Sequence, residues 1–260
     1  MNTYDFFLFA GQSNMAGRGI SCPQFPEAAP ALISGAGVEF RAISDPSALF
    51  SVCEPFGSAE NTPDGIHEPG MKTGSLVTSF VNAYYSLTGV PVLSVSASKG
   101  GSVIAQWQPG GAYLNDTIRR MHAAFDFCAA HGIVLRHRFL LWCQGESDGD
   151  HHTAPDVYAE QFCRMYETLR RENIEHCFLI GIGEYNGPAA DISYDAIRNA
   201  QYALADHRSD LTVVSRSFET MKVRGLMKDA FHYYQAGYNE TGRTAGEACA
   251  VFVEKSYPLR

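Results

Sequence analysis

A serine hydroxyl becomes an effective nucleophile when a neighbouring base can take its proton. The residues for that chemistry stand at opposite ends of this sequence. Gly11-Gln12-Ser13-Asn14-Met15 follows a short apolar run near the N-terminus, and Asp229-Ala230-Phe231-His232 lies near the C-terminus. His232 can serve Ser13 as base if a carboxylate holds its other ring nitrogen. Asp229, three residues earlier on the same loop, can fix that tautomer and stabilise the imidazolium. A tetrahedral intermediate also needs donors aimed at its oxyanion. The backbone N–H groups of Ser13 and of Gly101, in Lys99-Gly100-Gly101-Ser102, are candidates, since glycine permits close approach. Gln144, in Gln144-Gly145-Glu146-Ser147-Asp148, can add a side-chain N–H. Loss of one such donor costs about 10²–10³ in rate. Gln12, Asn14, Glu146 and Trp107 are candidates for support or substrate contact. Glu146 would buttress the site through hydrogen bonds or orient His232, and the structural role is preferred. A tryptophan such as Trp107 is more often core or wall than a platform for a sugar.

These residues must be carried by elements that converge. Tyr4–Ala10, Pro91–Ala97, Arg136–Cys143, His176–Ile182 and Leu211–Val214 are short apolar runs bounded by turn residues or charges, the pattern of buried strands. Between them lie helical stripes. Leu114, Ile118, Met121, Phe125 and Cys128 recur at spacings of four and three, as do Tyr158, Phe162, Met165 and Leu169. Gly132 suits the end of the first. Further helices are expected over 75–87, 195–205 and 237–253. Such alternation predicts a parallel sheet with helices on both faces, and function beyond the carboxyl ends of its strands. Residues 20–72 break the rhythm. They are rich in Gly, Pro, Ser and Glu without clear periodicity, and read as a long ordered excursion over the site.

Two rival sites need weighing. Gly145-Glu146-Ser147-Asp148-Gly149 matches the G-x-S-x-G nucleophile elbow and follows a strand. An elbow leads straight into a helix, whereas here the helical pattern begins only after Asp150-His151-His152-Thr153-Ala154-Pro155, so Ser147 is the weaker nucleophile. His151 and His152 with Asp148 and Asp150 invite a metal. Adjacent histidines point apart on a strand and the spacing fits no standard zinc pattern, so a solvated polar loop is the better reading.

The order GQSNM, a glycine pair followed by Trp107, then QGE, then D-x-x-H resembles the sialate O-acetylesterase (SASA) family. That family is similar to carbohydrate esterase family 6 and lies within the SGNH-hydrolase superfamily. The resemblance runs from about Tyr4 to the final helix. It implies a three-layer α/β/α sandwich of flavodoxin-like SGNH type and removal of O-acetyl groups from carbohydrates. It also implies Ser13, Asp229 and His232 as a triad with an acyl-serine intermediate, and Gly101 and Gln144 in the oxyanion hole. Two departures stand out: Ala230 follows the triad aspartate where many relatives have glycine, and residues 20–72 carry none of these four motif blocks, which leaves the substrate open. A general short-chain or lipid esterase of the same superfamily and a non-catalytic glycan-binding module are the alternatives.

Composition narrows the remaining classes. The chain has 260 residues, 45% of them hydrophobic, enough for a substantial core, and no composition break divides it, so residues 1–260 read as one domain. Its net charge of -8 and scattered Lys and Arg leave no patch for phosphates, so nucleic acid is not an expected partner. No run of some 18 to 20 apolar residues spans a membrane. No basic region precedes the short apolar run at Phe6–Ala10, which suggests a cytoplasmic protein unless a signal was removed. Seven cysteines without a CxxC pair read mostly as buried free thiols. The resemblance implies an acetylated saccharide as partner, and the chemistry calls for no cofactor or metal.

Overall fold

The computed structural model describes residues 2–257. β1 (Thr3–Gly11) runs down the middle of a seven-stranded sheet of order β3-β2-β4-β1-β5-β6-β7. The others are β2 (Gly37–Arg41), β3 (Asp45–Ser51), β4 (Val92–Ser98), β5 (Val134–Cys143), β6 (His176–Ile180) and β7 (Leu211–Ser215). β1 pairs in parallel with β4 and β5, β2 with β4, β6 with β5 and β7 with β6, while β3 is an antiparallel edge strand on β2.

β1 reads as an unbroken apolar run because both of its faces are covered. Phe6, Leu8 and Ala10 pack towards α3 (Ala112–Ala130), α5 (Pro155–Arg171) and α6 (Asp195–His207), meeting Leu114, Phe162 and Ile197 in one core. Phe7 and Phe9 face the other way, towards α2 (Val77–Thr88) and α7 (Gln235–Ser256), into a second core with Phe80, Tyr238 and Val253. The result is the expected three-layer α/β/α sandwich. Each helical stripe lands on one of these faces, and Gly132, left-handed at φ 63°, follows the end of α3. The five expected strands and five expected helices form within a few residues of their expected bounds.

The excursion is where the expectation needs correction. Residues 20–72 contain β2 and β3, which no alternation announced. β2 presents the charged Glu39 to the interior, only 4% exposed and paired with Arg41, and β3 is a partly exposed edge. Neither strand therefore writes a simple apolar pattern. The rest of the excursion is anchored by buried charge. Arg120 of α3, fully buried, donates to the carbonyls of Glu60 (3.1 Å) and Ser96 (2.9 Å) and pairs with Asp116. Asp116 in turn accepts the Ile66 N–H at 3.0 Å. Lys72 Nζ donates to Gly57 O (2.9 Å) and Ser96 Oγ (3.0 Å). Burial pushes the Lys72 ammonium down to about 8. Among the described residues no helix is long and apolar enough to cross a membrane. All seven cysteines are free. Cys128, Cys143, Cys177 and Cys249 are buried, Cys163 and Cys22 partly so, and Cys53 is exposed.

Candidate active site

β1, β4 and β5 lie side by side and in parallel, so their carboxyl ends open at one edge of the sheet. From β1 the chain builds β2, β3 and β4 on one side and then β5, β6 and β7 on the other, and ligands collect at such a switch point. Ser13 opens the short helix α1 (Ser13–Ala16) directly after β1, the Lys99–Ser102 turn follows β4, and Gln144 follows β5 at the start of a short helix, α4 (Glu146–Asp150). The loop after β7, tied by a bridge between Met227 and Tyr233, brings in Asp229 and His232. A cavity of about 430 Å³ forms there, lined among others by Ser13, Glu68, Gly100, Gly101, Phe231 and His232.

Ser13 Oγ lies 3.0 Å from His232 Nε2, across 219 residues of chain. His232 Nδ1 lies 3.1 and 3.0 Å from the two Asp229 oxygens. Asp229 Oδ1 also accepts the backbone N–H groups of Phe231 and His232, each at 2.8 Å, so the loop's own backbone orients the carboxylate. Burial pushes Asp229 up, but those N–H groups and the His232 ring outweigh it and hold the acid below the usual carboxylate range. Burial lowers His232, and Asp229 only partly opposes it, so the imidazole stays neutral to lower pH than an ordinary histidine. A hydroxyl, a neutral ring and a carboxylate in this sequence can pass a proton from oxygen to nitrogen. Nearby, the Ser13 and Gly101 N–H groups carry no hydrogen bond among the described residues. Gly101 sits at φ 67°, where an L side chain is strained.

Several expectations change here. Gln144 is fully buried and does not line the cavity. Its amide nitrogen donates to Ser102 O (2.9 Å) and to Asp148, and its oxygen accepts from Tyr158. Both amide hydrogens are therefore engaged, and no donor is left for an oxyanion. Trp107 is core, the reading preferred for it, 1% exposed, with its Nε1 donating to Ser102 Oγ at 3.0 Å and its ring edge-on to Trp142. It touches neither cavity nor solvent. Gln12 lines the cavity but spends its oxygen on the Gly145 (3.0 Å) and Ser147 (3.3 Å) N–H groups, bracing the turn after β5.

Asn14 and Glu146 form a support beneath the site. Asn14 Nδ2 donates to Glu146 Oε1 (2.6 Å) and to Phe231 O (3.1 Å), and its oxygen accepts from Tyr238 at 2.6 Å. Asn14 thus ties the Ser13 turn to the His232 loop and to α7. Glu146 lines the cavity, makes no bond to His232, and is pushed up to about 7 by burial. Ser147 does lie in a helix that starts directly after β5, contrary to the pattern read in the sequence. Its Oγ meets the Gln12 amide at 3.3 Å, and no histidine reaches it among the described residues. Asp148 and Asp150 accept bonds from the Ile104 N–H (2.9 Å) and the Tyr194 hydroxyl (2.8 Å).

The family described as carbohydrate esterase, sialic acid-specific acetylesterase (SASA) matches residues 3–250. The chain belongs to that family. The match bears out the resemblance carried by GQSNM, the glycine pair, QGE and D-x-x-H, and makes this SASA protein a carboxylic ester hydrolase. No curated protein matches it in sequence. Its fold is similar to that of a protein from Arabidopsis thaliana, with a TM-score of 0.70 at 21% identity over 98% of this chain and 99% of that one. It is also similar to NanS, with a TM-score of 0.64 at 16% identity over 97% and 98%. A carbohydrate acetylesterase from Xanthomonas citri gives 0.59 at 16% identity, over 96% of the SASA chain but 56% of its own. At these identities the likeness is one of fold.

Proposed function

We propose that the protein removes O-acetyl groups from carbohydrates with Ser13, His232 and Asp229 as a catalytic triad. The observation that carries this reading is the hydrogen-bonded chain from Ser13 Oγ through His232 to Asp229, at 3.0 Å on either side of the ring, in the wall of an open cavity. Ser13 Oγ attacks the acetyl carbonyl while His232 Nε2 takes its proton. The carbonyl oxygen becomes an oxyanion stabilised by the Ser13 and Gly101 N–H groups. His232 then gives the proton to the leaving sugar oxygen, leaving an acetyl-serine. Water, deprotonated by the same ring, releases acetate. Phe231, 37% exposed and 5.6 Å ring to ring from Tyr185, offers the sugar an apolar face beside His232.

Two measurements test this reading. Acetate release from O-acetylated sialic acid and from acetylated xylo-oligosaccharides is compared with hydrolysis of p-nitrophenyl esters from acetate to octanoate. The expected result is saccharide deacetylation and a steep fall in kcat/KM beyond the acetyl group. Equal or rising rates on longer chains would move the protein to general or lipid esterases, and glycan binding without turnover would make it a binding module.

The second is pH. The base works as neutral imidazole, so kcat/KM rises as pH climbs through the His232 pKa. Because burial lowers that pKa, the acid limb is expected below the ordinary histidine value of about 6.5. A midpoint clearly above that value, or a flat profile down to about pH 4, contradicts His232 as the base.

A further inference from the structure

The excursion sends one carboxylate into the site. Glu68 is 5% exposed, and its Oε1 accepts two charge-assisted hydrogen bonds, from Arg18 Nη2 and from the Gly100 N–H, each 2.7 Å long. Arg18, 6% exposed, follows the turn that carries Ser13, while Gly100 precedes Gly101. One oxygen therefore joins the two segments whose free N–H groups face the reaction in the proposed mechanism. The Glu68 backbone is itself held, its N–H donating to Asn61 Oδ1 at 2.6 Å.

The fit around Gly100 leaves little room for movement. A Cβ there would lie 2.5 Å from Glu68 Oε1, 2.6 Å from Arg18 Nη2 and 3.3 Å from Ser13 Cβ. The Gly100 N–H that Glu68 accepts belongs to the preceding peptide unit, and in the unit that ends in the Gly101 N–H the carbonyl of Gly100 accepts from Lys99 Nζ at 3.0 Å. In a planar trans peptide the carbonyl and the N–H point in opposite directions, so fixing one aims the other. A buried ion pair contributes little net stability compared with apolar groups of the same size, because both charges lose water. The geometry that this pair imposes on the Gly100–Gly101 turn is its distinctive effect.

We propose that Glu68, from the segment over 20–72, is a positioning residue of the esterase, holding the Gly100–Gly101 turn against the Ser13 turn so that the Gly101 N–H meets the oxyanion. The inference rests on the proposed Ser13 mechanism. It gives the excursion a role in rate, beyond covering the sheet.

The test is steady-state hydrolysis of p-nitrophenyl acetate by wild type, Glu68→Ala, Glu68→Gln and Ser13→Ala. Rates for the Glu68 variants and wild type are expressed per serine labelled by a fluorophosphonate taken to completion, which removes misfolded protein from the comparison. Glu68→Ala frees Gly100 and is expected to lower kcat by about 10²–10³, the effect of losing one oxyanion donor, with KM little changed. Glu68→Gln keeps an oxygen for Gly100 but loses the charge, and is expected to lose roughly tenfold. If Glu68→Ala yields no labelled serine, Glu68→Gln alone decides, and wild-type kcat in it overturns the proposal. Wild-type kcat per labelled serine in Glu68→Ala, or a loss confined to KM, overturns it as well. These outcomes apply with Ser13→Ala silent. An active Ser13→Ala brings down the esterase mechanism itself and the Glu68 role with it.

Discussion

Ser13→Ala is expected to lower kcat for p-nitrophenyl acetate by about 10⁵–10⁶, to a residue of activity that only preorganised donors and binding sustain. The expectation rests on Ser13 Oγ having the His232 ring at 3.0 Å. Removing the oxygen deletes the nucleophile, while the fold should hold, since Ser13 Oγ makes no other bond among the described residues. Ser147→Ala in parallel is the discriminating control. Ser147 has the Gln12 amide as neighbour at 3.3 Å, which cannot accept a proton, so most activity should survive. The reverse pattern, with Ser13→Ala active and Ser147→Ala dead, would transfer the nucleophile to α4 and make the Ser13–His232 contact incidental.

Asp229→Asn should lower kcat by about 10⁴ with KM far less affected. The mechanism is tautomeric. Asp229 Oδ1 accepts two backbone N–H groups at 2.8 Å, and the replacing amide will keep its oxygen there. Its NH₂ then faces His232 Nδ1, where Oδ2 stands at 3.0 Å. A donor in that place requires Nδ1 to be the accepting nitrogen, which leaves the proton on Nε2. The nitrogen that faces Ser13 can then no longer take the serine proton. The loop geometry should be preserved, so kcat on a folded protein is the quantity to measure, with near-UV circular dichroism to confirm folding. Activity within about tenfold of wild type would mean that Asp229 does not set the tautomer.

Against these expectations, the Glu68 proposal differs in kind. Ser13 and Asp229 act on the proton that moves, whereas Glu68 acts on where an N–H points. Their losses should therefore be graded, with the nucleophile largest, the tautomer next and the aim of one donor smallest. Arg18 sits among all of them, paired to Glu68 and contributing to the lowered His232 pKa.

The sequence by itself determined the sandwich. β1 is legible because helices cover both of its faces, and the chain then has to write Phe6 to Ala10 without a polar break. The helices of the two outer layers are legible because each buries one stripe. Ser13 and Gly101 could be placed because a nucleophile and a glycine turn follow strands, and Asp229 and His232 because their D-x-x-H precedes the last helix. What the tertiary structure decided is direction. Gln144 stands where a donor was expected, but its amide turns into the interior towards Ser102 and Asp148, and nothing local to QGE records that rotation. The excursion was read as an ordered segment over the site, but its two strands and its anchors were illegible for a stronger reason: Arg120, Asp116, Lys72 and Glu68 are charges that become structural only when partners far along the chain enclose them. Apolar periodicity reports burial against a surface and can be read residue by residue. A buried charge that bonds a backbone group or side chain far along the sequence, as Arg120 does Glu60 O and Glu68 does Arg18, exists as a structural feature only once the chain has folded.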